Sequence, residues 1–184
     1  MLPLAVDLTD RAVLVIGAGG IGARKAASLL DAGASVSVIA TTLSAPLPEG
    51  LCSVEERPYR SGDLDGFFLV VAATADPEAN DAIVAEAATR HIWLNVVDDL
   101  DRSSFYFAAL HRQGDVVVSV STSGASPALA QELRDRIAVS LPGHLEAIAA
   151  TLRAERDAVH DAGRSTEDLD WRARVAELLD HPID

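Results

Sequence analysis

The sequence of 184 residues predicts an α/β fold, a Rossmann-like doubly wound parallel sheet, followed by a small strand–helix segment and a helical domain. Three observations predict the sheet. A glycine-rich turn joins a strand pattern to a helix pattern, strands and helices alternate over the first half of the chain, and the apolar run FFLVVAA at 67–73 is continuous. A continuous apolar run is typical of a central parallel strand that is buried on both faces.

The first elements form a βαβ unit, which implies parallel pairing and a right-handed crossover. Residues 11–16 are a β-branched run of strand length, and residues 35–40 are a second strand. Between them, residues 20–31 have helical spacing, and Gly33 is expected to end this helix in the left-handed conformation. The expected apolar face of the helix consists of Ile21, Ala26, Leu29 and Leu30.

Further elements continue this alternation. Residues 51–56 are a candidate third strand, in which Cys52 is expected to be a small buried side chain. Asp76 and Pro77 are expected to open a helix as its N-cap and first-turn residue. Residues 92–97 complete the sheet as another strand.

The rhythm changes after about residue 112. The segment GDVVVSVSTSG is expected to form a turn and a strand, and Ser126 to cap a helix with an apolar stripe of Leu129, Leu133 and Ile137. Two more helices follow the break at Pro142-Gly143. We therefore predict three parts, 1–112, 113–141 and 142–184. The strand–helix part and the helical tail are too small to bury much apolar area alone, so they should dock on the first domain or pair with a second subunit.

Composition excludes several function classes as first expectations. The net charge of −13 repels nucleic acid and anionic membranes, so neither is an expected partner. The N-terminus lacks a secretory signal pattern and no apolar run has membrane-spanning length, which predicts a cytoplasmic protein. One cysteine excludes an intrachain disulfide, and the five histidines show no ligand spacing, so no metal site is predicted.

The stretch Gly17-Ala18-Gly19-Gly20-Ile21-Gly22 satisfies the GxGxxG pattern between a strand and a helix, where dinucleotide binding needs it. Gly17 allows the tight turn, Gly19 lets a pyrophosphate approach the backbone, and Gly22 lets the helix pack on the strand. The helix N-terminus supplies amides and partial positive charge. A merely structural glycine turn is the alternative.

The end of the second strand lacks the acid that usually holds the NAD ribose, because Thr41 and Thr42 follow Ala40. No arginine follows nearby to favour a 2′-phosphate, so NAD is favoured over NADP. The threonine hydroxyls are expected to contact the ribose, or these residues simply begin a loop.

Polar residues also follow the next two strands. Thr74 stands at the end of the central strand, where small residues leave room for the nicotinamide ribose, and Asn95 and Asp98 border the same cleft. An aspartate there could accept a proton from a substrate that loses hydride. From the residues alone, a polar loop or an N-cap is the simpler explanation, and Asp101 is most simply a cap for the segment 102–104.

The loop STSGASP contains Thr122, Ser123 and Gly124 and opens a helix. Its amides could bind an anion, although a capped turn is the simpler interpretation.

These segments, in this order, resemble the precorrin-2 dehydrogenase/ferrochelatase module of siroheme synthases. The resemblance rests on GGIGARKA, VVAAT, NVVD followed by SF, and VSVSTSGASPALAQELRDRI. It implies NAD⁺-dependent oxidation of precorrin-2, a polycarboxylate tetrapyrrole, to sirohydrochlorin, with Fe²⁺ insertion as a second activity of some members. It also implies a homodimer that exchanges the middle segment.

Position by position, the resemblance implies that Gly20 and Ile21 lie near the pyrophosphate and that Thr41 and Thr42 contact the cofactor. It implies that Asp98 is the catalytic carboxylate and that the loop at Thr122 faces the substrate. Arg102 is a candidate partner for substrate carboxylates.

The chain departs from the family pattern at Asp99-Leu100 and at Ala108, which leaves metal insertion open. A non-catalytic NAD(P)-sensing module and another small NAD(P)-dependent reductase are the alternative functions.

Overall fold

The computed structural model describes residues 2–180, which form two compact units divided between Tyr106 and Phe107. The predicted boundary at residue 112 falls inside a strand of the second unit. Each unit has its own secondary structure, and each is described separately below. Among residues 2–180, no helix combines the length and the apolarity that crossing a bilayer requires.

The first unit is a parallel five-stranded sheet in the order β3-β2-β1-β4-β5, with two helices. This order reverses between β1 and β4, as in a doubly wound fold, so the predicted fold class is confirmed. Its elements are β1 (Ala12–Ala18), α1 (Gly20–Leu30), β2 (Ser35–Leu43), β3 (Ser53–Glu56), β4 (Leu69–Ala72), α2 (Pro77–Arg90) and β5 (Trp93–Val96).

Central strands β1 and β4 explain why the apolar runs are continuous. Every residue of β4 is buried, and four consecutive residues of β1, 13–16, are buried as well. Alternate side chains point to opposite faces of a strand, so both faces of these two strands are covered. One core cluster joins the two strands to α2 and consists of Leu14, Ile16, Ile39, Leu64, Val70, Ala72, Ile83, Ala87, Leu94 and Val96.

Helix α1 ends as the sequence predicts. Gly33 has φ +81°, its N–H donates to Leu30 O at 2.8 Å, and Ala34 N–H donates to Leu29 O at 3.1 Å. The predicted apolar face was partly wrong, because Ile21 is exposed. The buried residues of this helix are Gly22, Ala23, Ala26 and Leu29.

Helix α2 also begins where the sequence predicts. The Asp76 carboxylate accepts hydrogen bonds from Glu78 N–H at 3.0 Å and from Ala79 N–H at 3.3 Å, and Pro77 occupies the first helical position. These contacts satisfy two backbone donors that have no partner inside the helix.

A loop, rather than a crossover helix, connects β3 to β4. Arg57 pairs with Asp63 at 2.6 Å within the loop, and Tyr59 Oη donates to the Glu86 carboxylate of α2 at 2.5 Å. Arg90 of α2 pairs with Asp65 at 2.7 Å. The Arg57 guanidinium helps to hold the pKa of Asp63 below its usual range, against the opposing effect of burial. Charged contacts therefore fasten this connection to α2.

The expectation of a buried Cys52 was wrong. Cys52 precedes β3 and is exposed, and all four residues of β3 are exposed as well. Strand β3 lies at the edge of the sheet and pairs only with β2 among the described strands.

The second unit contains β6 (Ala109–Gln113) and β7 (Val116–Val120), which form an antiparallel hairpin. The sequence analysis did not predict β6. The helices of the second unit are α3 (Pro127–Ser140), α4 (Leu145–Asp161) and α5 (Trp171–Asp180), with a 3₁₀ turn at Thr166–Asp168. Ser126 caps α3 as predicted, because its hydroxyl accepts from Leu129 N–H at 3.2 Å.

The predicted apolar stripe of α3 exists, but it is not covered within this chain. Leu129 is 50% exposed, and Leu133 and Ile137 are also exposed. On the hairpin, Leu110 and Val117 are exposed too. Ala130 is the one residue of α3 that is buried. The second unit therefore leaves these five large apolar side chains exposed on α3 and on the hairpin, and we call them together the α3 surface.

Replacing the Asp76 cap tests the account of α2. Asp76→Ala should lower the free energy of unfolding by about 1 kcal/mol, because two backbone donors lose their acceptor. Urea denaturation measures this loss. Asp76→Asn is the matched control and should cost much less, since its side-chain oxygen can accept the same bonds. Equal losses in both variants would show that the charge, not the cap, is what matters.

Candidate functional site

The predicted site residues of the first unit lie along one edge of the sheet. Strands β1, β4 and β5 are parallel, so their carboxyl ends share that edge. The glycine loop follows β1, Thr74 follows β4, and Asp98 follows β5. In open α/β sheets this edge, at the point where strand order reverses, is where ligands bind.

Two glycines of the loop are required by packing alone. Gly17 has φ +111°, and a Cβ placed there would overlap the carbonyl group of Ala73. A Cβ on Gly22 would overlap Gly17 O. The first contact brings the loop against the end of β4, where Ala73 N–H donates to Ile16 O at 2.7 Å. Gly17 and Gly22 therefore build the turn between strand and helix.

Gly19 and Gly20 have a different environment. A Cβ on Gly19 would meet only Ser44 Oγ, at 3.8 Å, and one on Gly20 would meet no described atom within 4 Å. Gly19 is the N-cap of α1, where no side chain of the described residues caps the helix and no acid stands in the first turn. We call the bare backbone at Gly19 and Gly20 the glycine cradle. Together with the amides of the helix N-terminus, it fits a pyrophosphate.

Thr41 and Thr42 do not begin a loop, as one of the two interpretations of the sequence predicted. Both residues belong to β2, which runs to Leu43, and both are exposed. Ile16 is paired with Ile39 but Ala18 with Leu43, so β2 carries two additional residues opposite the end of β1. The two hydroxyls thus stand on an irregular strand end beside the glycine loop.

Thr74 links β4 to α2. Its hydroxyl accepts from Asp76 N–H at 3.2 Å, and its carbonyl accepts from Asn80 Nδ2 at 3.1 Å. Thr74 lies at the carboxyl end of β4, and its side chain also shapes the start of α2. Its contact with the cofactor stays a prediction.

Asp98 lies at the tip of the turn that follows β5. Its φ is +61°, a left-handed conformation that few residues other than glycine adopt, although aspartate tolerates it better than most. The side chain is exposed, and no hydrogen bond or ion pair to its carboxylate is found among residues 2–180. The Asp98 carboxylate is therefore exposed after β5 and is not engaged by any described residue.

Asn95 and two serines hold the segment after this turn. Asn95 is only 8% exposed, and its Nδ2 donates to Phe105 O at 3.1 Å. Ser103 Oγ accepts from Val96 N–H at 2.9 Å, and Ser104 Oγ accepts from Leu94 N–H at 2.8 Å. The role of the two serines was not predicted from the sequence: their hydroxyls accept hydrogen bonds from β5 that a neighbouring strand would otherwise accept. Substrate contact by Asn95 stays a prediction.

Asp99, rather than Asp101, caps the following segment. Its carboxylate accepts from Arg102 N–H at 3.1 Å and from Arg102 Nε at 2.6 Å. Arg102 Nη1 also reaches Asp81 of α2, at 2.7 Å. The hydrogen bond from the Arg102 side chain is the largest cause that lowers the pKa of Asp99. The prediction that Asp101 caps this segment was wrong, because the Asp99 carboxylate makes the capping hydrogen bonds with Arg102.

The second unit contains the loop with Thr122, Ser123 and Gly124. Thr122 Oγ1 donates to Ser126 O at 3.0 Å and accepts from Ser126 N–H at 3.1 Å, which closes the loop on itself. Ser123 and Gly124 both have positive φ, 52° and 84°. The geometry is that of a capped turn, and an anion contact stays a prediction.

Two cations follow the glycine loop on α1. Lys25, the only lysine of the chain, is partly buried, and burial, assisted by Arg24, lowers its pKa to about 8.

No group of three or more metal-binding side chains occurs in the described part of the chain, and His181 lies outside it.

Comparisons with known proteins show the family and the fold of the chain. The NAD(P)-binding family model matches residues 4–109, and the model for the central segment of sirohaem biosynthesis proteins matches residues 113–140. The siroheme synthase of Tolumonas auensis is 45% identical over 80% of this chain and 32% of its own length. Siroheme synthase 1 of Yersinia enterocolitica is 39% identical over 97% of this chain and 35% of its own length. The chain thus spans about a third of these relatives.

Among solved structures, that of SirC, a precorrin-2 dehydrogenase, resembles the whole chain. The alignment covers 100% of this chain and 90% of that one, with a TM-score of 0.74 and 26% sequence identity.

The different environments of the glycines give a direct test. Gly17→Ala should lower the free energy of unfolding by roughly 2 kcal/mol or more, because both φ and the Ala73 contact oppose a Cβ. Gly19→Ala should leave stability nearly unchanged but weaken dinucleotide binding about tenfold, since the methyl group fills the cradle. Thermal denaturation and calorimetric titration with NAD⁺ measure the two effects. Loss of stability in Gly19→Ala would contradict the assignment.

Proposed function

The chain belongs to the NAD(P)-binding family of siroheme biosynthesis proteins, and we propose that it oxidises precorrin-2 to sirohydrochlorin with NAD⁺ as hydride acceptor. One observation carries the proposal. A bare glycine cradle after β1 and a carboxylate after β5 that no described residue engages stand on the same sheet edge, with β4 between them. The first can hold a dinucleotide, and the second can serve a substrate placed beside it.

The residues of the cradle would hold the cofactor. The amides at Gly20 and Ile21 would bind the pyrophosphate, the hydroxyls of Thr41 and Thr42 the ribose, and Thr74 would border the nicotinamide. When bound, the cofactor supplies a hydride acceptor. NAD is favoured over NADP because residues 40–50 contain no lysine or arginine to meet a 2′-phosphate.

Asp98 would receive the proton. Oxidation of precorrin-2 removes a hydride and a proton, and the proton needs an acceptor beside the reacting carbon. Since no described residue engages its carboxylate, Asp98 is available to accept that proton or to orient the ring. Asn95 and the loop of Thr122, Ser123 and Gly124 remain proposed contacts for the substrate.

The alternative is a module that binds NAD(P) without catalysis, which would need the cradle but not Asp98. Incubating the purified protein with precorrin-2 and NAD⁺ and following NADH decides between them. NADH formation is expected. NAD⁺ binding without NADH formation would favour the regulatory alternative.

Replacing Asp98 tests its role. Asp98→Asn should lower kcat by about 10²–10⁴, the usual contribution of a general base, and should leave the affinity for NAD⁺ unchanged. Steady-state kinetics and titration with NAD⁺ measure both. Asp101→Asn removes the same charge three residues away and is the matched control, for which wild-type kinetics are expected. An active Asp98→Asn variant would exclude proton transfer by this carboxylate.

We also propose that the protein is a homodimer that pairs through the α3 surface. The surface consists of Leu110, Val117, Leu129, Leu133 and Ile137, all exposed in the single chain. Large apolar side chains left exposed together on one small unit are typical of a protein interface. A second copy would cover them with an equivalent apolar surface.

A charge placed in that surface should separate the subunits. Leu133→Asp is expected to yield monomers, because an unpaired carboxylate would be buried in the interface. Light scattering with size-exclusion chromatography measures the change. Gln131→Asp adds the same charge at another exposed position of α3 and should remain dimeric. A wild-type monomer, or a dimer unaffected by Leu133→Asp, would contradict the proposal.

Metal insertion and cytoplasmic location stay predictions. For insertion, Fe²⁺ would be a substrate, and Asp98 could accept one of the pyrrole protons that leave. Supplying Fe²⁺ or Co²⁺ with sirohydrochlorin tests this step separately from dehydrogenation.

A further inference from the structure

Asp98 occupies a backbone conformation that needs support. A left-handed φ is unfavourable for a residue other than glycine and persists only when its surroundings impose it. The turn around it is tight, since Asp99 N–H donates to Val96 O at 3.2 Å and Val97 N–H donates to Ala72 O at 2.9 Å. The first half of the turn is therefore held by the sheet.

The second half is held by side chains. Ser103 Oγ donates to Asp99 O at 2.7 Å, and the Asp99 carboxylate binds both the backbone and the side chain of Arg102. Arg102 then extends to Asp81, so the turn is joined to α2 through one guanidinium. Asp98 itself contributes no described side-chain contact to this arrangement.

We propose that Arg102 is a positioning residue for the reaction: by binding Asp99 and Asp81 together, it holds the turn that presents the Asp98 carboxylate. This inference rests on the proposed function for its kinetic test. It assigns Arg102 a different task from the substrate contact that the sequence suggests.

The charges around Arg102 support positioning over substrate binding. Two of its three guanidinium nitrogens already face carboxylates, at 2.6 and 2.7 Å. One cation between two carboxylates leaves a net negative charge, and Asp98 and Asp101 add more in the same turn. The positive charge of Arg102 is thus already compensated by Asp99 and Asp81, which leaves little attraction for a substrate carboxylate.

Asp81 provides the sharpest test, because the two roles predict changes in different kinetic parameters. Under positioning, Asp81→Asn loosens the turn and lowers kcat a few-fold, with KM for precorrin-2 unchanged. Under substrate binding, Asp81→Asn frees the guanidinium for the substrate and lowers KM. Arg102→Ala should lower kcat about tenfold, the order expected when a catalytic group is misplaced by less than 1 Å. Arg102→Lys should recover part of that loss.

Asp65→Asn is the matched control. Asp65 pairs with Arg90 of α2 at 2.7 Å, with side-chain exposures of 79% and 37%, against 76% and 36% for Asp81 and Arg102. It therefore removes a similar exposed ion pair at a different place on the same helix, and kcat should stay at the wild-type value.

A second measurement does not need activity. Hydrogen–deuterium exchange at the amides of 97–104 should be about tenfold faster in Arg102→Ala than in the wild type, and unchanged in Asp65→Asn. If the wild type makes no NADH, the proposed function fails and exchange alone decides whether Arg102 holds the turn. Unchanged exchange in Arg102→Ala, or a raised KM with an unchanged kcat, would overturn the inference.

Discussion

The close approach of the glycine loop to the end of β4 is the constraint on which the candidate site depends. Gly17 lies against the carbonyl of Ala73, and Gly22 lies against Gly17, with no room for a Cβ at either position. These contacts fix where α1 begins relative to β1 and β4. Because α1 begins there, its first amides and the bare Gly19 and Gly20 lie on the same sheet edge as Asp98.

Much of this first unit could be predicted from sequence, because its signals are local. The apolar runs of β1 and β4, the cap at Asp76 and the left-handed Gly33 each depend on neighbours a few residues away. The glycine pattern predicts the turn for the same reason. Such patterns can be recognised in the sequence without knowledge of distant contacts.

Other features could not be predicted, because they depend on contacts between distant residues. The ion pair of Arg102 with Asp81 joins positions 21 residues apart, and no pattern of residue spacing in the sequence predicts it. Strand β6 is recognisable only once β7 pairs with it. The apolar stripe of α3 was visible in the sequence, but periodicity states only that a face is apolar and does not name what covers it.

The two neighbouring acids at the end of β5 show how one turn separates two tasks. Asp99 is committed to Arg102, and this contact lowers the pKa of its carboxyl group. Asp98, one residue earlier, has no described side-chain partner. Identical side chains thus differ through the backbone conformation that directs one to solvent and the other to a guanidinium.

The exposed edge strand β3 has a consequence for how the protein behaves at high concentration. A bare edge offers unpaired backbone groups to any extended segment of another molecule, which is a common start of aggregation. This strand is only four residues long, and its sequence, Ser-Val-Glu-Glu, ends in two carboxylates. Within a chain of net charge −13, two such edges would repel each other before their backbones could pair. The short acidic edge thus acts as a guard against self-association at this side of the sheet.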